Sequence, residues 1–151
     1  MPEQIINKNH YFDWAATSPV DEDILRDSLE CSIQNWANPS SVHLAGKQAK
    51  ETLDKARESV AKTLNVKTQN IFFTSGGTES DNIALIGTAF ANFRSGNHII
   101  TTQIEHPAIL QTCAYLETQG FEVTYLPVDT NGVIRLTDLE KAMTSQTILV
   151  S

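Results

Sequence analysis

Cysteine is scarce in this chain. Two among 151 residues are too few for a disulfide framework and point to a reducing compartment. Long apolar runs are missing as well: the longest, 83–86 and 147–150, fall far short of the ~20 residues a bilayer span needs. Residues 1–8 carry neither a basic n-region nor an apolar h-region, so no secretory leader is expected and the reading is cytoplasmic, with no membrane partner. Basic charge is short, 11 Lys and Arg against 18 Asp and Glu for a net −7. That balance argues against nucleic acid as a partner, because a phosphate field demands a basic face. There is no Walker loop, no G-x-G-x-x-G and no G-x-S-x-G elbow. His10, His43, His98 and His106 show no metal-ligand spacing with one another or with Cys31 and Cys113, so no metal site is expected.

What is present suffices for a core. At 40% hydrophobic and 19% charged, a chain of this length makes one domain of ordinary size that buries about 70% of its unfolded surface. Leu25, Leu29, Ile33 and Trp36 share a helical stripe over 22–36. Asn38-Pro39-Ser40-Ser41 breaks the chain before a longer helix, whose Ala49, Leu53, Ala56, Val60 and Leu64 recur at three- and four-residue steps, with Asn65 as its stop. Both helices read as packing elements, and Trp14 and Trp36 as core or interface.

Beyond Asn65 the pattern alternates. Residues 70–74 (NIFFT) read as a buried strand, 78–93 as a helix, and 98–102 (HIITT) as a second strand. A helix follows from Pro107 to Gln119, capped by Gly120, with Cys113 on its apolar side as a small core residue. Residues 121–126 form the third strand, and Asp129-Thr130-Asn131-Gly132 a turn. Thr137-Asp138-Leu139-Glu140 is a capping box opening a helix to about Thr144, and 147–151 a fourth strand. The fold class is therefore α/β: N-terminal helices over 1–65, then strand–helix units of a mostly parallel sheet over 66–151. A chain that stops on an apolar strand reads as an incomplete domain, part of something longer.

Chemistry has two candidate places. In Thr74-Ser75-Gly76-Gly77-Thr78-Glu79-Ser80-Asp81-Asn82, two glycines let the backbone approach a ligand. The helix that follows points unpaired N–H groups and its positive dipole end into the same space. An acidic protein can hold a phosphate this way, with the Thr78 hydroxyl as a further donor and Glu79 turned away. Spacing alone leaves a plain strand–helix connection equally open. In Gln103-Ile104-Glu105-His106-Pro107, the proline opens a helix and holds His106 extended at a strand end. That is the sheet edge where α/β proteins bind ligands, although a merely capping histidine also fits.

Taken together these segments resemble a known family. Tyr11-Phe12-Asp13-Trp14-Ala15-Ala16-Thr17-Ser18-Pro19, Asn38-Pro39-Ser40-Ser41-Val42-His43, TSGGTESDN and Glu105-His106-Pro107 resemble, in order and spacing, the N-terminal signatures of cysteine desulfurases, NifS/IscS-like members of the class V aminotransferase superfamily. Trp14 and Ser18 depart from the commoner Tyr and Thr. The resemblance implies part of the large domain of a fold-type I enzyme that uses pyridoxal 5′-phosphate (PLP) to take sulfur from L-cysteine, leaving alanine and an enzyme persulfide. It implies that Gly77 and Thr78 hold the cofactor phosphate. It makes His106 the catalytic histidine on the pyridine ring, and it places Ala16 and Thr17 at the substrate mouth. It further implies a homodimer that passes sulfur to an iron–sulfur scaffold or a sulfur-carrier protein.

The family's Schiff-base lysine, the aspartate on the ring nitrogen, the loop cysteine and the carboxylate-binding arginine lie further downstream than this sequence runs. Lys8, Lys47, Lys50, Lys55, Lys62, Lys67 and Lys141 sit in other contexts, and neither Cys31 nor Cys113 matches the nucleophile. PLP needs its tether and ring-nitrogen partner to work as an electron sink, so the chain alone is expected to be inactive. The alternative is a non-catalytic α/β module that binds a phosphorylated ligand or a desulfurase subunit.

Overall fold

The computed structural model describes residues 10–151, so residues 1–8, including Lys8, and the expectation about a leader there lie outside the described residues. The chain divides into two compact units, one ending at Phe72 and the other running from Phe73 to Ser151.

In the first unit, α1 (Glu22–Gln34) starts at Asp21, whose carboxylate accepts the Asp23 and Ile24 N–H groups at 3.0 and 3.2 Å. α2 (Leu44–Thr63) starts at His43, whose Nδ1 accepts the Gly46 N–H at 3.3 Å. It ends at Asn65, which takes a left-handed φ of 53° while the Val66 N–H returns to the Ala61 carbonyl at 2.9 Å. The Thr52 hydroxyl donates to the Asn35 side chain at 2.9 Å and ties the two helices. The stripe that gives α1 its helical period is uncovered: Leu25, Leu29, Ile33 and Trp36 are all exposed, and so is Trp14. The apolar spacing sets the helix, but nothing among the described residues of this unit buries its face.

The 70–74 strand is not formed. Thr68–Asn70 is a 3-10 turn, 71–74 has no regular structure, and Phe72 is 78% exposed. A strand needs a neighbour for its N–H and C=O groups, and no described segment pairs with this one.

The second unit holds α3 (Gly77–Asn92), β1 (His98–Thr102), α4 (Pro107–Thr118), β2 (Glu122–Leu126), α5 (Leu136–Ala142) and β3 (Thr147–Val150). The sheet is β2-β1-β3 and wholly parallel, with three strands rather than the four read from the sequence. Ile99 faces Leu85 and Ala89 of α3 and Ile109, Cys113 and Leu116 of α4, all buried. Each large aliphatic taken from water here contributes roughly 1.5–3 kcal/mol. Phe121 is clasped edge-on between Phe90 and Phe93, at 5.4 and 5.2 Å.

At the amino end of the sheet, buried His98 spans all three strands, with Nδ1 2.8 Å from the Thr147 hydroxyl and Nε2 2.8 Å from that of Thr124. The α4 terminus follows expectation: Gly120 has φ 93° and the Phe121 N–H reaches the Leu116 carbonyl. α5 does not. It starts one residue before Thr137, after Arg135, with no side-chain cap, because the Val128–Ile134 bridge already delivers the chain to the helix.

Two predictions follow from this packing. A Cβ at buried Gly96 would collide with the backbone carbonyl of Gln146, whereas one at Gly87 inside α3 meets nothing within 4 Å. Gly96→Ala should therefore cost about 1–3 kcal/mol, and Gly87→Ala should stabilise by about 0.5–1 kcal/mol, read as thermal midpoints moving in opposite directions. Burial, aided by Glu117 and Glu105, pushes the Cys113 thiol up to about 11, while Cys31 is exposed. Iodoacetamide at pH 8 should alkylate Cys31 and spare Cys113 until the protein is unfolded, as mass spectrometry of the peptides would show.

Candidate functional site

Parallel strands joined by helices put every helix N-terminus at the carboxyl edge of the sheet. In the second unit this gathers the start of α3 and the start of α4, which flank the end of β1. A side-chain bond sets their level: the buried Thr112 hydroxyl donates to the Asn82 Oδ1 at 3.0 Å. Asn82 lies five positions past Gly77, and Thr112 five past Pro107, so the tie brings the first turns of both helices to the same height. The Asn82 amide also donates to the Thr78 carbonyl at 2.8 Å and closes the first turn of α3.

The first turn of α3 is open. α1, α2 and α4 are capped by Asp21, His43 and His106, whereas α3 begins at Gly76 with no side-chain cap. The first helical bond runs from the Ser80 N–H to the Gly76 carbonyl. The N–H groups of Gly77, Thr78 and Glu79 are thus left without an acceptor among the described residues. A Cβ on Gly76 or Gly77 would meet no atom within 4 Å, so clear space stands before those donors. Thr78 is exposed and its hydroxyl is unbonded within the described chain.

Glu79 turns away from this space, as expected. Its Oε2 accepts the Ser75 N–H at 2.6 Å and the Ser75 hydroxyl at 2.7 Å, and these two bonds hold its carboxyl below the usual carboxylate range. Behind it, the Thr74 hydroxyl bonds the Ser80 hydroxyl at 2.8 Å.

His106 caps α4. Its Nδ1 accepts the Ala108 N–H at 3.1 Å, which leaves Nε2 to carry the ring proton, and the residue is exposed at the carboxyl edge. The capping role and a ligand-facing role coexist: one nitrogen holds the ring and the other remains available. Nearby, the Glu105 carboxylate accepts the Thr102 hydroxyl at 2.9 Å.

The structure therefore brings Gly77, Thr78 and His106 to one edge of one unit. Ala16 and Thr17 belong to the other unit, exposed in a turn whose N–H groups bond the Asp13 carbonyl. Asn38 and His43, also there, have structural bonds, with the Asn38 side chain accepting from the Ser40 N–H at 2.8 Å. Sequence reasoning missed the Asn82–Thr112 tie. The signal was two poor helix formers inside helices where solvated surface residues would be stronger formers. Groups of His, Cys, Asp or Glu able to hold a metal are absent among the described residues.

The chain has known relatives. The family model for Aminotransferase class-V matches residues 10–151. The chain is 49% identical over 146 residues to the cysteine desulfurase IscS of Clostridium botulinum (strain Kyoto / Type A2), covering 97% of this chain and 37% of that protein. It is also 49% identical over 145 residues to the cysteine desulfurase IscS of Methanosarcina thermophila, covering 96% and 36%. Among solved structures, a NifS-like protein superposes with a TM-score of 0.83 at 44% identity, over 89% of this chain and 37% of its own. SspA in complex with cysteine gives 0.83 at 38% identity, over 93% and 40%. The chain spans a little over a third of the length of the curated relatives it matches. A match along nearly all of its residues, on the α/β fold of those structures, places this chain in the class-V aminotransferase family.

Proposed function

We propose that this chain supplies the phosphate cradle and the ring-facing histidine of a PLP-dependent cysteine desulfurase. The observation that carries the reading is the uncapped start of α3, with free N–H groups at Gly77 and Thr78 and open space before them. The residues fit the group. A phosphate dianion needs converging donors, and the second unit is acidic, with Arg94, Arg135 and Lys141 against eight carboxylates. Neutral N–H groups and a helix dipole supply the attraction that side-chain charge does not.

In this reading Gly77, Thr78 N–H and the Thr78 hydroxyl hold the phosphate, and His106 lies at the ring with the proton on Nε2 available for exchange. Bound PLP supplies an electron sink that makes the bonds around the substrate α-carbon labile. The substrate is L-cysteine. Its C–S bond breaks, the sulfur joins an enzyme thiol as a persulfide, and the carbon takes up a proton to leave L-alanine. Similarity to the IscS proteins and to a relative solved with cysteine supports this assignment. Cys113, buried and with its thiol pushed up to about 11, is unsuited to be that nucleophile.

The remaining parts follow from the same resemblance. Residues 66–151 are part of a PLP-binding domain, with 1–65 as the preceding segment, and Ala16 and Thr17 line the substrate mouth. The protein works in the cytoplasm as a homodimer and hands sulfur to an iron–sulfur scaffold or carrier. The exposed apolar stripe of α1 supports assembly, since such a face is rarely left to water.

PLP added to the protein should perturb the amide resonances of Gly77 and Thr78 before any others. Thr78→Val, which keeps the N–H and removes the hydroxyl, should weaken PLP about three- to tenfold by titration. His106→Gln should leave PLP affinity within about threefold and depress proton exchange at the substrate α-carbon about 10²-fold or more in the complete enzyme, followed by deuterium uptake. This chain by itself should release no alanine from L-cysteine. PLP-independent behaviour throughout, with a stable species of this length, would favour the non-catalytic module instead.

A further inference from the structure

A helix start usually satisfies its own donors. In a capping box, the residue at the cap lends an oxygen to the third N–H, and a Glu at the third position reaches back to the cap N–H. α3 has the Glu at the third position, since Gly76 is the cap and Gly77, Thr78 and Glu79 follow. Both halves of the box are nevertheless altered. Gly76 has no side chain to lend, and Glu79 reaches one residue further back, to the N–H and hydroxyl of Ser75. The displaced carboxylate secures the loop without consuming any donor from Gly76 to Glu79. Thr74 adds a second brace: its hydroxyl donates to the Gly76 carbonyl (3.2 Å) and shares a hydrogen bond with the Ser80 hydroxyl (2.8 Å).

The glycine pair makes such bracing necessary. Two adjacent glycines are the freest backbone a chain can have, and ordering them on binding would subtract from affinity. A loop already held in its bound path avoids that loss. Yet a carboxylate beside an anion site also repels the anion. The two effects have opposite signs, and that makes the role of Glu79 measurable.

We propose that Glu79 is a positioning residue for the cofactor phosphate: through Ser75 it holds the Gly76–Gly77 backbone in its binding path, and this outweighs its charge repulsion. The proposal rests on the reading that Gly77 and Thr78 hold the phosphate of PLP. The Glu79 carboxylate is bonded to Ser75, and the exposed first turn in which it sits lies away from the buried core.

The test titrates PLP into the whole protein as isolated, in four forms: wild type, Glu79→Ala, Glu79→Gln and Ser75→Ala. Amide resonances of Gly76, Gly77 and Thr78 locate the binding, and amide hydrogen exchange of the same residues without PLP reports the order of the free loop. Glu79→Ala should weaken PLP about tenfold and speed exchange at Gly76 and Gly77. Glu79→Gln, uncharged but still an acceptor, should restore affinity to within about threefold of wild type. Ser75→Ala, which keeps the N–H bond and loses the hydroxyl, should fall between them.

Tighter or unchanged binding by Glu79→Ala, with wild type binding at Gly77 and Thr78, overturns the positioning role and leaves the site reading intact. If Glu79→Gln is as weak as Glu79→Ala, the acceptor geometry is not what matters, and the proposal also fails. Wild type that binds no PLP at Gly77 and Thr78 overturns the reading of the site and this proposal with it. Thermal midpoints of all four forms should agree within a few degrees; if Glu79→Ala unfolds, Ser75→Ala decides the matter, since wild-type affinity and exchange in that variant overturn the proposal.

Discussion

Strand β1 is the constraint on which the second unit depends. It bonds to β2 on one side and β3 on the other, and Ile99, Ile100 and Thr101 are wholly buried. Both neighbours run parallel to it, and parallel strands need a crossover connection, here a helix. From this it follows that α3 and α4 both start at the carboxyl edge, and that the residues just before them meet there. The core beneath is small and apolar around Cys113 and Leu116, and the open helix start lies at the rim.

In the proposed reading, an electrostatic problem at that rim is met with uncharged groups. Eight carboxylates against three basic side chains give the second unit a field that repels phosphate. A helix end offers partial positive charge that acts only within about one turn, so it attracts an anion locally without altering the net charge. The carboxylate nearest this end, Glu79, is tied to Ser75 rather than facing the open space. His106 spends one nitrogen on capping α4 and so presents the other in a defined tautomer. Rigid backbone placement takes the role that a lysine or arginine plays in a basic protein.

Much of the fold was legible in the residues. Asn65 and Gly120 end α2 and α4 in left-handed conformations, and 98–102 is a strand with the bounds its β-branched run suggested. Local chemistry decides these features, since a cap or an αL turn depends on a few adjacent residues. The failures involve partners outside the segment itself. Residues 70–74 have strand-like side chains but find no neighbour to pair with. The box at Thr137 is bypassed because the Val128–Ile134 bridge, formed on the other side of a turn, sets where α5 begins. The α1 stripe predicted a helix correctly and a covered face incorrectly, because periodicity records which side is apolar and not what lies against it.

The candidate site divides the same way. Gly76, Gly77, Thr78 and His106 stood out in the sequence because glycine pairs before a helix and histidine before proline restrict the backbone directly. The bonds behind their placement join residues far apart: Thr112 to Asn82 across two helices and, at the opposite end of the sheet, His98 to Thr124 and Thr147 across three strands. A sequence by itself determines conformations governed by neighbouring residues, and here it set the helix starts, the helix stops and the open glycine turn. Only the tertiary structure decided that the two helix starts share one edge and one level. That depends on which strands pair, and strand pairing is a contest among distant segments for the same hydrogen-bonding groups.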